Sequence, residues 1–285
     1  MKEKRPYSVL LIALRVPLLI LWIVLLPIPA LIIRLIRPRA KLSTEKLPMI
    51  FHRGLCRIFG LRLNVSGQIC QHRPTLYISN HVSYLDIFLL GSVVPGYFIA
   101  KSEVAGWPLL GKLARLQNTL FIERNSRRAR EQVEILQNQL ADGNNLILFP
   151  EGTSTDGAHV EPFKSSLFHA AEGAAEAGTQ IQPITLAYTH HKGQPMPQSV
   201  RDYYAWYSDM PFLSHFIQAL GMRSADVELI LHPPVKLQAY ESRKACAEDC
   251  WSTVNEALVT RVKSNLTEDV KHDERIPPDQ LNALE

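Results

Sequence analysis

LYISNHVSYLDIFLL, residues 76–90, holds three signals in one short segment. The apolar run from Leu76 to Ser79 has the make-up of a buried strand. Asn80 interrupts it, His81 follows at once, and Asp86 stands five residues on at the start of another apolar run. On a regular helix an offset of five turns a side chain by about 140°, so the two would point apart if both lay on ideal helix. They meet if His81 sits on an irregular lead-in turn and Asp86 one turn inside, with Asn80 and Ser83 both suited to cap that turn. A carboxylate that accepts the proton of one imidazole nitrogen fixes the tautomer and leaves the other nitrogen as a base. A lone His–Asp pair is commonly a surface ion pair or a satisfied core group. This one falls where a strand hands over to a helix, the edge at which open α/β sheets keep their sites.

Outward from that segment the chain alternates. Strand patterns occupy 61–67, 96–100, 118–123, 144–150, 179–188 and 226–232. Helical patterns occupy 44–59, parts of 101–116, 127–140, 164–177 and 240–264. The class expected is α/β, a mostly parallel sheet flanked by helices on both faces. In the 44–59 helix Leu47, Ile50, Phe51, Leu55, Ile58 and Phe59 make an apolar stripe, with His52, Arg53 and Arg57 between them. The four cysteines, Cys56, Cys70, Cys246 and Cys250, show neither a Cys-x-x-Cys pair nor zinc spacing. They fit a reducing compartment with no structural disulfide and no metal site.

Residues 1–43 read as a membrane-anchoring helical segment. No charge interrupts Val16 to Ile33, about the length of a minimal span. Pro17, Pro27 and Pro29 would break such a helix, and basic residues flank both ends. A helix–break–helix that dips into one leaflet fits, as does a single kinked span; a buried core helix fits less well, since it would show a polar face. Residues 44–266 form the globular domain, and 267–285 a flexible, polar tail. The net charge of +4 suits an anionic membrane or a nucleic acid. Mixed charges on 127–140 and the lack of an aromatic–basic stripe speak against nucleic acid.

Polar groups gather where strands end: His81 and Asp86, Lys101, Glu123 with Arg124, and Pro150-Glu-Gly-Thr-Ser. Arg124 and Lys101 suit an anionic head group. Gly152 would let a backbone N–H approach a ligand, and Thr153 adds a hydroxyl. Glu151 would order the loop, hold Arg124 or bind a hydroxyl.

In order and rough spacing, NHVSYLD (80–86), FIER (121–124), FPEGTS (149–154) and IQPITLAY (181–188) resemble the four signature blocks of the glycerolipid acyltransferase family. KSEVAGWPLLG (101–111) matches a further family feature. The nearest group is the bacterial 1-acylglycerol-3-phosphate acyltransferases. The resemblance implies transfer of a fatty acyl group from acyl-CoA or acyl-carrier protein to the sn-2 hydroxyl of lysophosphatidic acid, without a cofactor or metal. It makes His81 the base, Asp86 its partner, and Arg124, Glu151 and Gly152 binders of the acceptor's phosphate end. It also implies a leaflet-embedded N-terminal element, and a place on the cytoplasmic face of a bacterial inner membrane. Many phosphate-acceptor members carry Arg after the FPEGT threonine, where this chain has Ser154. FPEGTSTDG with FKSSLF (163–168) is also similar to the lyso-ornithine lipid acyltransferases, so ornithine is the alternative head group. A lipid hydrolase would need a G-x-S-x-G elbow, which the chain lacks. A non-catalytic lipid-binding membrane protein would leave the His–Asp pair unexplained.

Overall fold

Apolar strands with side chains of both parities buried need cover on two faces, and the chain supplies it. This computed structural model describes residues 6–26, 28, 32, 36, 43–108, 110–123, 129–174 and 178–273. From the N-terminus the elements are helices α1 (Val9–Leu25) and α2 (Ser43–Phe59), strands β1 (Leu61–Gly67) and β2 (Thr75–Ser79), helix α3 (Leu85–Gly91), strand β3 (Tyr97–Lys101), helix α4 (Leu110–Leu116) and strand β4 (Leu120–Ile122). Helix α5 (Ala129–Ala141), strand β5 (Leu146–Leu148), helix α6 (His169–Gly173), strands β6 (Gln180–His191) and β7 (Gln194–Pro195), helices α7 (Gln198–Arg201) and α8 (Phe212–Gly221), strand β8 (Ala225–Leu231) and helix α9 (Arg243–Asp273) follow.

The strands form one sheet in the order β1-β8-β6-β2-β5-β3-β4, with β7 paired to β6. Strands β2 to β6 share one direction, and the β6–β8 join is antiparallel. Along β2, Leu76, Tyr77 and Ile78 are all fully buried. Tyr77 enters a core with α2, α3 and α8, while Leu76 and Ile78 enter a second core with α5, α6 and α9. From β2 the chain passes to α3 in the first core, and from neighbouring β5 toward α6 in the second. Adjacent strands whose connections leave to opposite faces open a crevice at their C-terminal ends.

Several expectations shift. Helix α1 runs through Pro17. The missing N–H is offset by ties to the rest of the fold. The Arg15 guanidinium donates to the carbonyls of Leu220 (2.8 Å), Met222, Arg223 (3.1 Å) and, at longer range, Phe59. These carbonyls lie at the C-terminal ends of α8 and α2, where backbone acceptors lack helical partners. Trp22 donates its indole N–H to Phe51 O at 3.0 Å. Its ring lies so close to α2 that a Cβ on Gly54 would meet it at 2.1 Å. At 1.5 Å per residue α1 is about 25 Å long. No helix among the described residues is long and apolar enough to cross a membrane. Leu10, Leu14, Leu18, Leu21 and Leu25 on α1 are nevertheless each more than half exposed. Pro27, Pro29 and the basic flanks lie outside the described residues.

His52, placed with the polar residues of its helix, is buried, because α2 packs between α1 and α3. Its Nε2 lies 2.9 Å from Gln117 Oε1, and burial pushes its pKa down to about 4, so the ring is neutral. The helix expected at 164–177 is instead a tight turn, Ser165–Phe168, followed by α6. Helix α9 continues to Asp273, past residue 267 where a loose tail was expected. Helices α7 and α8 were not expected at all.

Candidate active site

The site begins where two paired strands end unequally. Ser79 pairs with Ile184, but β6 runs on to His191. Asn80 extends the pairing with its side chain. Its Oδ1 accepts from Leu186 N–H at 2.8 Å, and its Nδ2 donates to Leu186 O at 2.9 Å. The amide thus takes the place of a further ladder rung, and the backbone is free to leave the sheet at His81. Asn80 is therefore not a helix cap. Nor is Ser83 an effective one, its hydroxyl lying 3.4 Å from Leu85 N–H. Asp86 holds the turn from inside the helix. Its Oδ2 accepts from the N–H groups of Val82 (2.6 Å) and Ser83 (2.8 Å).

The same Oδ2 lies 2.9 Å from His81 Nδ1. The carboxylate is wholly buried, while the imidazole is 21% exposed. With the proton on Nδ1, Nε2 carries the lone pair and can accept a proton. The ring stacks on Phe149, centroids 4.0 Å apart and planes at 17°. A further donor serves the carboxylate: Tyr188, on β6, gives its hydroxyl to Oδ1 at 2.8 Å.

The 150–155 loop grips the His81 peptide from both sides. Glu151 accepts His81 N–H on one oxygen (2.5 Å) and Glu161 N–H on the other (2.7 Å). Thr155 N–H donates to His81 O at 2.9 Å. Trp206 N–H donates to Val82 O at 2.9 Å, so the next peptide is held as well. Glu151 is 2% exposed, with both oxygens engaged by backbone, so it orders the loop and does not face the cleft. Burial pushes its pKa up to about 8 against the pull of its two N–H partners, and Asp86 and Glu161 push it the same way. The folded protein therefore holds a proton there that an unfolded chain releases near 4.5. The resulting stabilisation is complete below about 4.5 and is lost as pH rises through about 8. Glu151→Gln cannot titrate, and it turns an amide NH₂ toward one of two backbone donors, a cost of about 1–3 kcal/mol. The thermal midpoint of the variant is expected below that of the wild type, with the gap narrowing from pH 6 to 9. A gap that stays constant across this range would show that Glu151 does not titrate there.

Gly152 has φ +70°, a left-handed turn suited to glycine. Its N–H donates to Phe149 O at 3.1 Å, so the turn itself uses the donor that was expected to meet a ligand. Thr153 is exposed on the loop. Ser154 turns inward and donates its hydroxyl to Trp206 O. Leu146 pairs with both Leu76 and Tyr97, which sets Lys101, four residues past Tyr97, level with Asn80. Two strand spacings then separate their backbones by about 10 Å. Lys101 is exposed on that edge; Arg124 lies outside the described residues. Beside the turn, Tyr84 bonds His215 (3.1 Å) and packs on Phe212, which also meets Trp107.

Phe149, Thr155, Tyr188 and Trp206 were not picked out from sequence. Strand parity puts Tyr188 on the same face as Ile184 and Leu186, but it does not reveal that the hydroxyl has a partner.

Known proteins carry the same arrangement of segments. The Acyltransferase family profile matches residues 62–187, from β1 to one residue short of Tyr188. A lyso-ornithine lipid O-acyltransferase of Rhodobacter capsulatus is 40% identical over 213 residues, 73% of this chain and 75% of its own length. The chain belongs to the acyltransferase family. Within it, a 1-acyl-sn-glycerol-3-phosphate acyltransferase of Neisseria meningitidis serogroup B is 37% identical over 144 residues, 50% of this chain and 55% of its own. The crystal structure of PlsC, the 1-acyl-sn-glycerophosphate acyltransferase of Thermotoga maritima, superposes with a TM-score of 0.63. It covers 87% of this chain and 93% of that one at 24% identity, so this acyltransferase shares its fold.

Proposed function

We propose that this acyltransferase moves a fatty acyl group from acyl-CoA or acyl-carrier protein to the free hydroxyl of a lysolipid at a membrane surface. His81 is the general base and Asp86 its partner. The observation that carries this reading is the 2.9 Å contact between His81 Nδ1 and the buried Asp86 carboxylate at the mouth of the crevice. His81 Nε2 takes the hydroxyl proton as the oxygen attacks the thioester carbonyl. Asp86 stabilises the imidazolium, which returns the proton to the departing thiolate as the carbon–sulfur bond breaks. Positioning of the two substrates supplies much of the remaining acceleration.

Lyso-ornithine lipid is the favoured acceptor. Relatives bearing that activity in their names match 72–85% of this chain at 35–40% identity. Ser154 also supports it, because a neutral residue tied to Trp206 stands where phosphate-acceptor members place a cation. Lysophosphatidic acid is the second reading, supported by the Neisseria relative and by Lys101 on the site edge. Arg124 and Lys101 would meet the anionic part of either head group, with Gly152 and Thr153 shaping the loop beside it. Glu151 acts on the acceptor only through the placement of His81. The outward leucines of α1, with Leu213 (68% exposed) and Ile217 (41%) on neighbouring α8, offer one apolar face to lipid. The place proposed is the cytoplasmic face of a bacterial inner membrane.

A transfer assay on purified protein tests the reading. It offers lyso-ornithine lipid, lysophosphatidic acid and lysophosphatidylcholine in parallel, each with both acyl donors. Lyso-ornithine lipid is expected to react at least tenfold faster than the others. A preference for lysophosphatidic acid would reverse the order of the two readings, and no transfer to any acceptor would overturn both.

A further inference from the structure

We propose that Tyr188 is a positioning residue of the acyl transfer, whose hydroxyl on Asp86 Oδ1 tunes how firmly the carboxylate holds a proton on His81. The inference rests on the general-base reading of His81.

The two oxygens of Asp86 do different work. Oδ2 takes the His81 Nδ1 proton and the N–H groups of Val82 and Ser83, while Oδ1 takes Tyr188 at 2.8 Å. Both residues are sealed from water, Asp86 at 0% and Tyr188 at 1% exposure. The Tyr188 ring is stacked on Tyr204, centroids 6.1 Å apart, which fixes its aim. It can reach the turn because β6 outruns β2 by several residues. Burial and the charge of Asp86 push the phenol well above its usual range, so it stays a donor at every working pH.

A hydrogen bond to a carboxylate disperses its charge and makes it less basic. A carboxylate stripped of the Tyr188 donor would hold the imidazolium more tightly. The pair would then take up its proton at higher pH, whichever atom carries it. A base that protonates too readily is idle over more of the working range. Other ionisable groups face the pair or Tyr188. They are Glu151 with Glu161 from the loop, Cys56 from α2, Tyr84 from the turn before α3, and Tyr204 after α7. All of them stay in place when only the Tyr188 hydroxyl is altered.

Turnover is measured against pH at saturating donor and acceptor, for wild type, Tyr188→Phe and protein carrying 3-fluorotyrosine at 188. The phenylalanine keeps the ring, and the fluorinated ring is a stronger donor of nearly the same shape. In Tyr188→Phe the acid limb of kcat is expected to move up by about 0.5–1 pH unit, with both KM values within twofold of wild type. In the fluorotyrosine protein the limb moves down. An acid limb unmoved in the fluorotyrosine protein overturns the inference even if Tyr188→Phe does not fold. So does an effect confined to KM. His81→Ala, assayed alongside, separates the two levels. If that variant is inactive and the limb is unmoved, only the role of Tyr188 falls. If it stays active, the base reading falls and this inference with it.

Discussion

His81→Ala is expected to lower kcat by about 10²–10⁴-fold, the usual worth of a positioned general base. The loss should fall on kcat, since the side chain offers one reacting atom and little binding surface. Stability should change little. The imidazole is partly exposed, and its loss leaves Asp86 with the N–H groups of Val82 and Ser83 and the hydroxyl of Tyr188. The cut leaves a space over Phe149 that a small base can enter, so added imidazole should restore part of the rate. A variant retaining half its turnover would end the assignment.

Two substitutions of Asp86 should give equal chemistry and unequal stability. Asparagine has the shape to keep the turn. Its carbonyl oxygen can take the three N–H donors now on Oδ2, and its NH₂ can face Tyr188, whose hydroxyl is able to rotate from donor to acceptor. What it lacks is the charge that stabilises an imidazolium, and the rate should fall by about 10³–10⁴-fold. Alanine leaves the same donors buried without an acceptor, at about 1–3 kcal/mol each. Asp86→Ala should therefore lose several degrees more in thermal midpoint than Asp86→Asn while being no less active. Equal thermal losses would show that the turn does not depend on this acceptor.

The central strand was legible because burial on both faces demands apolar residues at every position, and Leu76, Tyr77 and Ile78 comply. The His–Asp contact was legible because a carboxylate in the first helical turn has few places to reach but backward. The supports were harder to see. Asn80 serves as a ladder rung only because Leu186, over a hundred positions later, lies beside it. Glu151 has the residue type of a surface group and is buried because two segments aim backbone N–H groups at it. Tyr188 looks like any strand aromatic until its hydroxyl is followed to Asp86. In α8, the apolar positions of FLSHFIQALG repeat at helical spacing, but the run is short and follows Pro211, so no element was assigned to it. Arg15, just ahead of the apolar stretch, carries no sequence signal of its carbonyl partners, which lie up to 208 positions later.

The fastening of α1 by Arg15 decides how the enzyme can be handled. An N-terminal hydrophobic helix invites deletion in the hope of a water-soluble version. Here the cut would strip the guanidinium from the carbonyls at the ends of α2 and α8 and empty the seat of Trp22 against Gly54. Trimming at residue 26 would open a wound in the globular body itself, so work on the protein with α1 left in place is the route the architecture favours.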